Sequence, residues 1–352
     1  MQAATRHPDL ADVALPTLDL RALARRAVVP GAIAAVAAAV LVAAGGPAQA
    51  FAHALSRAVE ADPRWVVAAA GFEILSFAGY VALLWLVAGR ATPKMGVRES
   101  VEVTLGGAAA TRLMPTGGVG GAALTLWALR RTGLDARHAG RTLLAFLVVL
   151  YAVFLGAIAV SGSLLALGAA DAHGPLALTA VPAALAALAI ATAVALGLRH
   201  RTRSAAGRTA AAPATAAGRL RAGAALLGEA VDDALRLVAA ADVRLLGALV
   251  WWACDAAVLW AMLDAFGAHV PLLVVVLAYF VGQAGNLIPI PGAVSGGIGG
   301  VLLAFGVDAD LAIVSVLGYR AVAIWLPAPV GLAALASLRT TLARWDRETA
   351  AA

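Results

Sequence analysis

Six stretches of this chain read as helices able to cross a bilayer: Val28–Ala44, Trp65–Ala88, Leu143–Leu167, Leu176–Leu198, Leu245–Phe266 and Leu311–Leu338. A crossing takes about 20 apolar residues, because the hydrocarbon core is ~30 Å thick and each helical residue rises about 1.5 Å. Only 13% of the 352 residues are charged and 62% are hydrophobic, whereas about a quarter of an ordinary soluble domain is charged. So little charge cannot cover so much apolar surface, and lipid must be the solvent.

The remaining charge sits where a membrane protein would keep it. The net charge is +6, and its arginines fall in short segments between apolar runs rather than in a separate basic domain. That pattern fits the positive-inside rule and speaks against nucleic-acid binding. A single cysteine, Cys254, excludes an internal disulfide, and the six histidines show no metal-ligand spacing. No nucleophile elbow, P-loop or dinucleotide fingerprint is present, so the expectation is a protein that is not an enzyme and takes no cofactor.

Residues 1–26 read as a cytoplasmic N-terminal segment, 27–338 as the membrane domain and 339–352 as a cytoplasmic tail. Ala48-Gln49-Ala50 after the first run resembles a signal-peptidase site, which leaves a cleaved signal as an alternative to a first span. Residues 199–241 read as a cytoplasmic loop. Its first part, Arg199–Arg221, is Ala/Arg-rich, and Ala224–Ala241 looks like an amphipathic helix on the membrane surface.

Two further stretches fail as ordinary spans. Val101–Leu129 contains GGAAATRLMPTGGVGGAAL, and Leu272–Phe305 contains GQAGNLIPIPGAVSGGIGG. Proline and clustered glycine are costly in a helix interior, so each stretch reads as two half-helices that dip into the membrane and return to the same side. Arg98 and Arg130, Arg131, Arg137 and Arg141 flank the first hairpin, which places both its ends inside. Asp264, His269, Asp308 and Asp310 flank the second without any Lys or Arg, which places its ends outside. The hairpins also match as copies. Arg112 precedes Pro115 by three residues and Asn286 precedes Pro289 by three, while Gly133-Leu134-Asp135-Ala136 downstream parallels Gly306-Val307-Asp308-Ala309. The fold class expected is therefore an all-α polytopic membrane protein with about six full spans and two re-entrant broken hairpins. Units 65–167 and 245–338 would form an inverted-topology repeat, a common plan for transporters with a site near the midplane.

A charge at membrane depth costs several kcal/mol, on the order of 3 kcal/mol by insertion scales, so each such residue is a site candidate. Those here are Glu73, Arg112, Asp255 and Arg320, joined by uncharged Gln283 and Asn286. They read either as structural pairs, Glu73 with Arg112 and Asp255 with Arg320, or as an anionic-headgroup site with Glu73 and Asp255 balancing charge or carrying protons. Pro115 with Gly117 and Gly118, and Gly296 with Gly297, open the second half of each hairpin. Free N–H groups and absent side chains there suit a phosphate, and small residues equally suit close helix packing.

At these residues the chain resembles the flippase-like transmembrane region of lysylphosphatidylglycerol synthases and its stand-alone relatives. Pro115–Gly121 followed by Arg130-Arg131, Pro289–Gly300, and Arg320 in the last span carry the resemblance, which runs over roughly Trp65–Leu338. Two positions depart from the family pattern. Val301-Leu302 stands where a Glu usually follows the second Gly cluster, and Leu143–Tyr151 lacks an Arg common there. With fourteen residues after Leu338, no aminoacyltransferase domain is expected. The resemblance implies translocation of an anionic phospholipid across a bacterial inner membrane, with both termini cytoplasmic. Its partners would be membrane lipids and an envelope-modifying enzyme. The rival readings are a secondary transporter of a small anion and a non-transporting partner of a lipid- or cell-wall-modifying enzyme.

Overall fold

The computed structural model describes residues 60–113, 119–172, 174–205, 216–287 and 292–351, and every regular element among them is helical. The first apolar run, the signal-like Ala48-Gln49-Ala50, Pro115, Gly117 and Gly118 lie outside the described residues.

Helix α1, Pro63–Ala91, starts where Asp62 turns its carboxylate onto the Arg64 N–H at 2.9 Å and Pro63 takes a position that needs no N–H. Two short helices follow, α2 (Val97–Leu113) and α3 (Val119–Arg131), and then the long α4 (Ala136–Ala166) and α5 (Leu176–Ala205). After α6 (Ala216–Ala239) come α7 (Leu246–Ala265), the short α8 (Leu272–Gln283) and α9 (Ala293–Ala304), and finally α10 (Ala309–Trp325) and α11 (Pro327–Ala351). Five segments among the described residues are long and apolar enough to cross a bilayer: α1, α4, most of α5, α7 with the turn before it, and α10 joined to α11. At most 50% of any of their apolar windows is buried by protein, and side chains such as Ile74, Leu185 and Leu188 lie exposed on an apolar outer surface suited to lipid.

The centre of the bundle is the α1–α7 pair, which runs antiparallel over its whole length. Asp62 N–H donates to Ala265 O at 2.9 Å and Trp65 meets Trp260 at 5.1 Å at one end. In the middle, the Ser76 hydroxyl donates to Trp251 O at 2.9 Å, and at the far end Arg90 reaches Asp242 at 3.4 Å. Gly79 and Gly247 permit this closeness, since a Cβ on Gly247 would lie 2.2 Å from Gly79 O.

Each of these two helices is followed by a pair of short antiparallel helices. In α2–α3 a Cβ on Gly107 would lie 3.3 Å from Gly121 Cα, and in α8–α9 a Cβ on Gly297 would lie 2.9 Å from Gly282 Cα. Each pair then turns through a glycine of positive φ, Gly133 (100°) or Gly306 (84°), into a helix whose N-cap is Asp135 or Asp308. The matched Gly-x-Asp-Ala motifs are thus the same local device: a left-handed residue ends one helix and an Asp starts the next.

Two sequence expectations gain detail. The last apolar run does form one segment long enough to cross, Ala309–Trp345, but it is interrupted at Leu326, because Pro327 has no N–H to give Ala323 O. Helix α10 packs on α7 and α9, whereas α11 lies antiparallel along α2. Residues 199–241 contain the expected amphipathic helix, which begins earlier than expected. Helix α5 continues through Arg203 to Ala205, and α6 folds back along it, with Gly197 against Val231 and Gly228 against Leu196. The amphipathic segment docks on protein through its acidic residues. Arg137 of α4 binds Glu229 at 2.6 Å, Arg141 binds Asp233, and Arg201 binds Asp232. Burial pushes the Asp232 carboxyl up, but hydrogen bonds from Arg201 and Arg236 outweigh it and hold the group below its ordinary range.

Candidate functional site

Polar side chains at membrane depth gather around α7 and the α8–α9 pair. Asp255 lies in the middle of α7 and is 8% exposed; Glu73 on α1 is 2% exposed. Glu73 lies between Trp65 and Ser76, and Asp255 between their partners Trp260 and Trp251, so the carboxylates occupy the same level of the antiparallel pair. The predicted Asp255–Arg320 ion pair does not form. Asp255 Oδ2 instead accepts from the hydroxyl of Tyr279 on α8. The predicted Glu73–Arg112 pair lies outside the described residues, because only the backbone of Arg112 is placed, in the last turn of α2.

Tyr279 is fully buried, with ring neighbours Trp252 at 6.3 Å, Phe280 at 4.9 Å and Tyr319 at 6.1 Å. One turn further along α8, the Gln283 amide donates to the Tyr319 hydroxyl at 2.8 Å and accepts from the Asn286 amide at 2.9 Å. The Gln283 side chain also bonds the Tyr279 hydroxyl, so a polar ladder leads from the buried carboxylate to Asn286, which is exposed where α8 ends. Tyr279 and Tyr319 sit among the apolar residues of the core, where a ring ordinarily packs. They do pack, but both hydroxyls belong to this ladder, and nothing in the spacing of residues 255, 279 and 319 announced it.

Arg320 follows Tyr319 in the apolar α10. It is partly buried and, among the described residues, makes no hydrogen bond or ion pair. A guanidinium at this depth carries five donors and a fixed charge, which makes it a ready receptor for a phosphate or carboxylate.

The glycine clusters divide. Helix α9 begins at Ala293, so its unbonded first-turn N–H groups belong to Ala293, Val294 and Ser295. The Gly296 N–H is already spent on Gly292 O at 2.7 Å, and Gly297 sits in the contact with Gly282. These two glycines therefore do not offer the backbone donors expected of them. In the first hairpin the Gly121 N–H donates to Thr111 Oγ1 at 2.7 Å, and that hydroxyl donates to Gly107 O at 2.9 Å. Thr111, missed in the sequence, thus caps one arm from the other.

Glu102 was missed too. It is buried near the start of α2 and accepts from Arg98 at 3.0 Å, Ser337 at 2.6 Å and Thr341 at 2.7 Å, while Glu99 binds Arg344 at 2.8 Å. The i,i+4 spacing of Arg98 and Glu102 was visible, but the hydroxyls come from more than two hundred residues away. At the matching end of α7, hydrogen bonds from the side chain and then the backbone of Arg244 hold the Asp242 carboxyl down to about 2, and the Arg244 guanidinium lies 4.5 Å from the Trp85 ring.

An antiparallel helical core, lipid-facing apolar helices and a few polar residues at depth define a polytopic α-helical membrane protein. More narrowly, the family described as lysylphosphatidylglycerol synthase TM region matches residues 27–331, and the chain belongs to that family. No curated protein matches it.

Proposed function

We propose that this chain moves a phospholipid with an anionic headgroup across a bacterial inner membrane and catalyses no reaction. Arg320 carries this reading. It is a cation held at depth in an apolar helix, and the described protein leaves its donors for a ligand. Such a residue is costly to keep unless something anionic visits it. Membership of a lipid-related membrane family supports the choice of lipid over a small anion.

The proposed frame is an inverted repeat of residues 65–167 and 245–338, with the α2–α3 hairpin re-entering from the cytoplasm and the α8–α9 hairpin from outside. Supporting it are the antiparallel α1–α7 pair, the matched Gly–Gly contacts within the hairpins and the shared Gly-x-Asp turn after each. Both termini would be cytoplasmic. Arg112, Pro115, Gly117, Gly118, Asn286 and Arg320 would line the headgroup path, while Glu73 and Asp255 would balance its charge.

Reconstitution tests this directly. Proteoliposomes carrying fluorescent phosphatidylglycerol and other anionic lipids are assayed for leaflet exchange by dithionite quenching. Exchange is expected with wild type and should fall at least tenfold in Arg320→Ala at unchanged melting temperature. Uptake of a soluble anion without lipid exchange would favour a small-anion carrier, and exchange unaffected by Arg320→Ala would remove the proposed site.

A further inference from the structure

Burial alone does not explain the ladder on the second hairpin. A core tyrosine needs one partner for its hydroxyl, whereas here the buried carboxylate leads through Tyr279 to Gln283, which branches to Tyr319 and to the exposed Asn286. An ionised carboxylate can only accept, so Tyr279 must donate to it. A protonated one has a hydrogen of its own and can donate to Tyr279, whose hydroxyl is then released. The Gln283 side chain lies within hydrogen-bonding reach of that hydroxyl, one helical turn along. Its amide now points nitrogen at Tyr319 and oxygen at Asn286, and either group could equally be met by the reversed amide.

We propose that Asp255 is a proton-binding site and that Tyr279 is the positioning residue that passes its protonation state to Gln283, and through it to Tyr319 and to Asn286 where α8 ends. The proton comes from the aqueous phase and forms an O–H bond on the Asp255 carboxylate, and nothing else is gained or lost. The coupling of this event to transport rests on the reading of Arg320 given above. Through Tyr319, the chain neighbour of Arg320 in α10, an anion on Arg320 and a proton on Asp255 would each reduce the cost of the other, and such linkage is reciprocal. Apart from the charges at the helix ends (Arg64 and Arg90 on α1, Arg137, His138 and Arg141 on α4, Asp264 on α7 and Asp310 on α10), the ionisable groups on the helices packed against α7 are Glu73 and Tyr80 on α1, Tyr151 on α4, Tyr279 on α8, and Tyr319 and Arg320 on α10, with Cys254 beside Asp255 on α7 itself. Glu73, the second carboxylate, is the one that must be told apart.

Infrared difference spectroscopy of the whole protein in liposomes reads the protonated-carboxyl stretch against pH, with lipid exchange measured on the same samples. The expected band disappears in Asp255→Asn and persists in Glu73→Gln. Its midpoint moves to higher pH, by about one unit, in Tyr279→Phe, which keeps the ring but removes the donor that favours the ionised form. Exchange in Tyr279→Phe follows the displaced midpoint, and exchange in Asp255→Asn loses its pH dependence. A titration unaffected by Tyr279→Phe, or a band that survives Asp255→Asn, overturns the proposal. If the band behaves as expected while wild type exchanges no lipid, Asp255 remains the proton site and the transport reading fails instead.

Discussion

Replacing Gly297 by Ala separates packing from ligand approach, because its neighbour in sequence is an internal control. A Cβ at Gly297 would lie 2.9 Å from Gly282 Cα, whereas a Cβ at Gly296 meets nothing within 4 Å. Optimal carbon–carbon separation is about 3.5–4.0 Å, so the two arms of the hairpin would have to part by more than ~0.6 Å or bear the overlap. Overpacking of this kind costs about 1–3 kcal/mol. Both substitutions also gain about 0.5–1 kcal/mol because alanine is the better helix former. The gain cancels between neighbours, and the variants should differ by the steric cost, ~1–3 kcal/mol, with Gly296→Ala the more stable. Thermal denaturation in detergent, followed by size-exclusion fluorescence, reads this difference as melting temperatures on either side of wild type. Gly296→Ala should also keep transport, since its N–H is bonded within the helix. Equal melting temperatures would refute the packing argument, and loss of transport in a stable Gly296→Ala would restore a ligand role for that glycine.

Three other outcomes follow from the same geometry. Ser337→Ala/Thr341→Ala should destabilise more than Glu102→Ala, because stranding a buried carboxylate loses about 1.5–3 kcal/mol per charged hydrogen bond while removing it releases Arg98 to solvent; equal melting temperatures would contradict this. In a Cys254→Ala background, cysteines at Ala136 and Ala309, which follow the two Asp caps, should react with an impermeant thiol reagent from opposite sides of the membrane, and labelling from one side would end the inverted-repeat proposal. Asp242 has a lowered pKa in the fold, so its contribution to stability is complete above the ordinary carboxylate range and fades only as pH falls toward about 2. Asp242→Asn should therefore leave the slope of melting temperature against pH unchanged above about pH 4 and flatten it below, as a pH series of melts would show.

The membrane class, the main helices and the two pairs of short helices were legible in the sequence because each follows from a local rule. Apolar run length dictates a crossing, a Pro and a Gly cluster interrupt a helix, and Gly-x-Asp turns one helix into the next. The same reasoning reached Glu73, Asp255 and Arg320, since a charge amid apolar neighbours stands out whatever the fold. Partners were another matter. Asp255 takes the Tyr279 hydroxyl rather than Arg320, and Glu102 takes hydroxyls from the last helix. Helix periodicity says which residues share a face and is silent on which faces meet. The break at Leu326 was written in Pro327, yet its consequence, that α10 stays with α7 while α11 lies along α2, depends on contacts between distant segments. The glycines show the division most plainly. Small residues are visible in sequence, but whether a missing side chain admits a ligand or another backbone depends on what the fold places opposite, and opposite Gly297 it places Gly282.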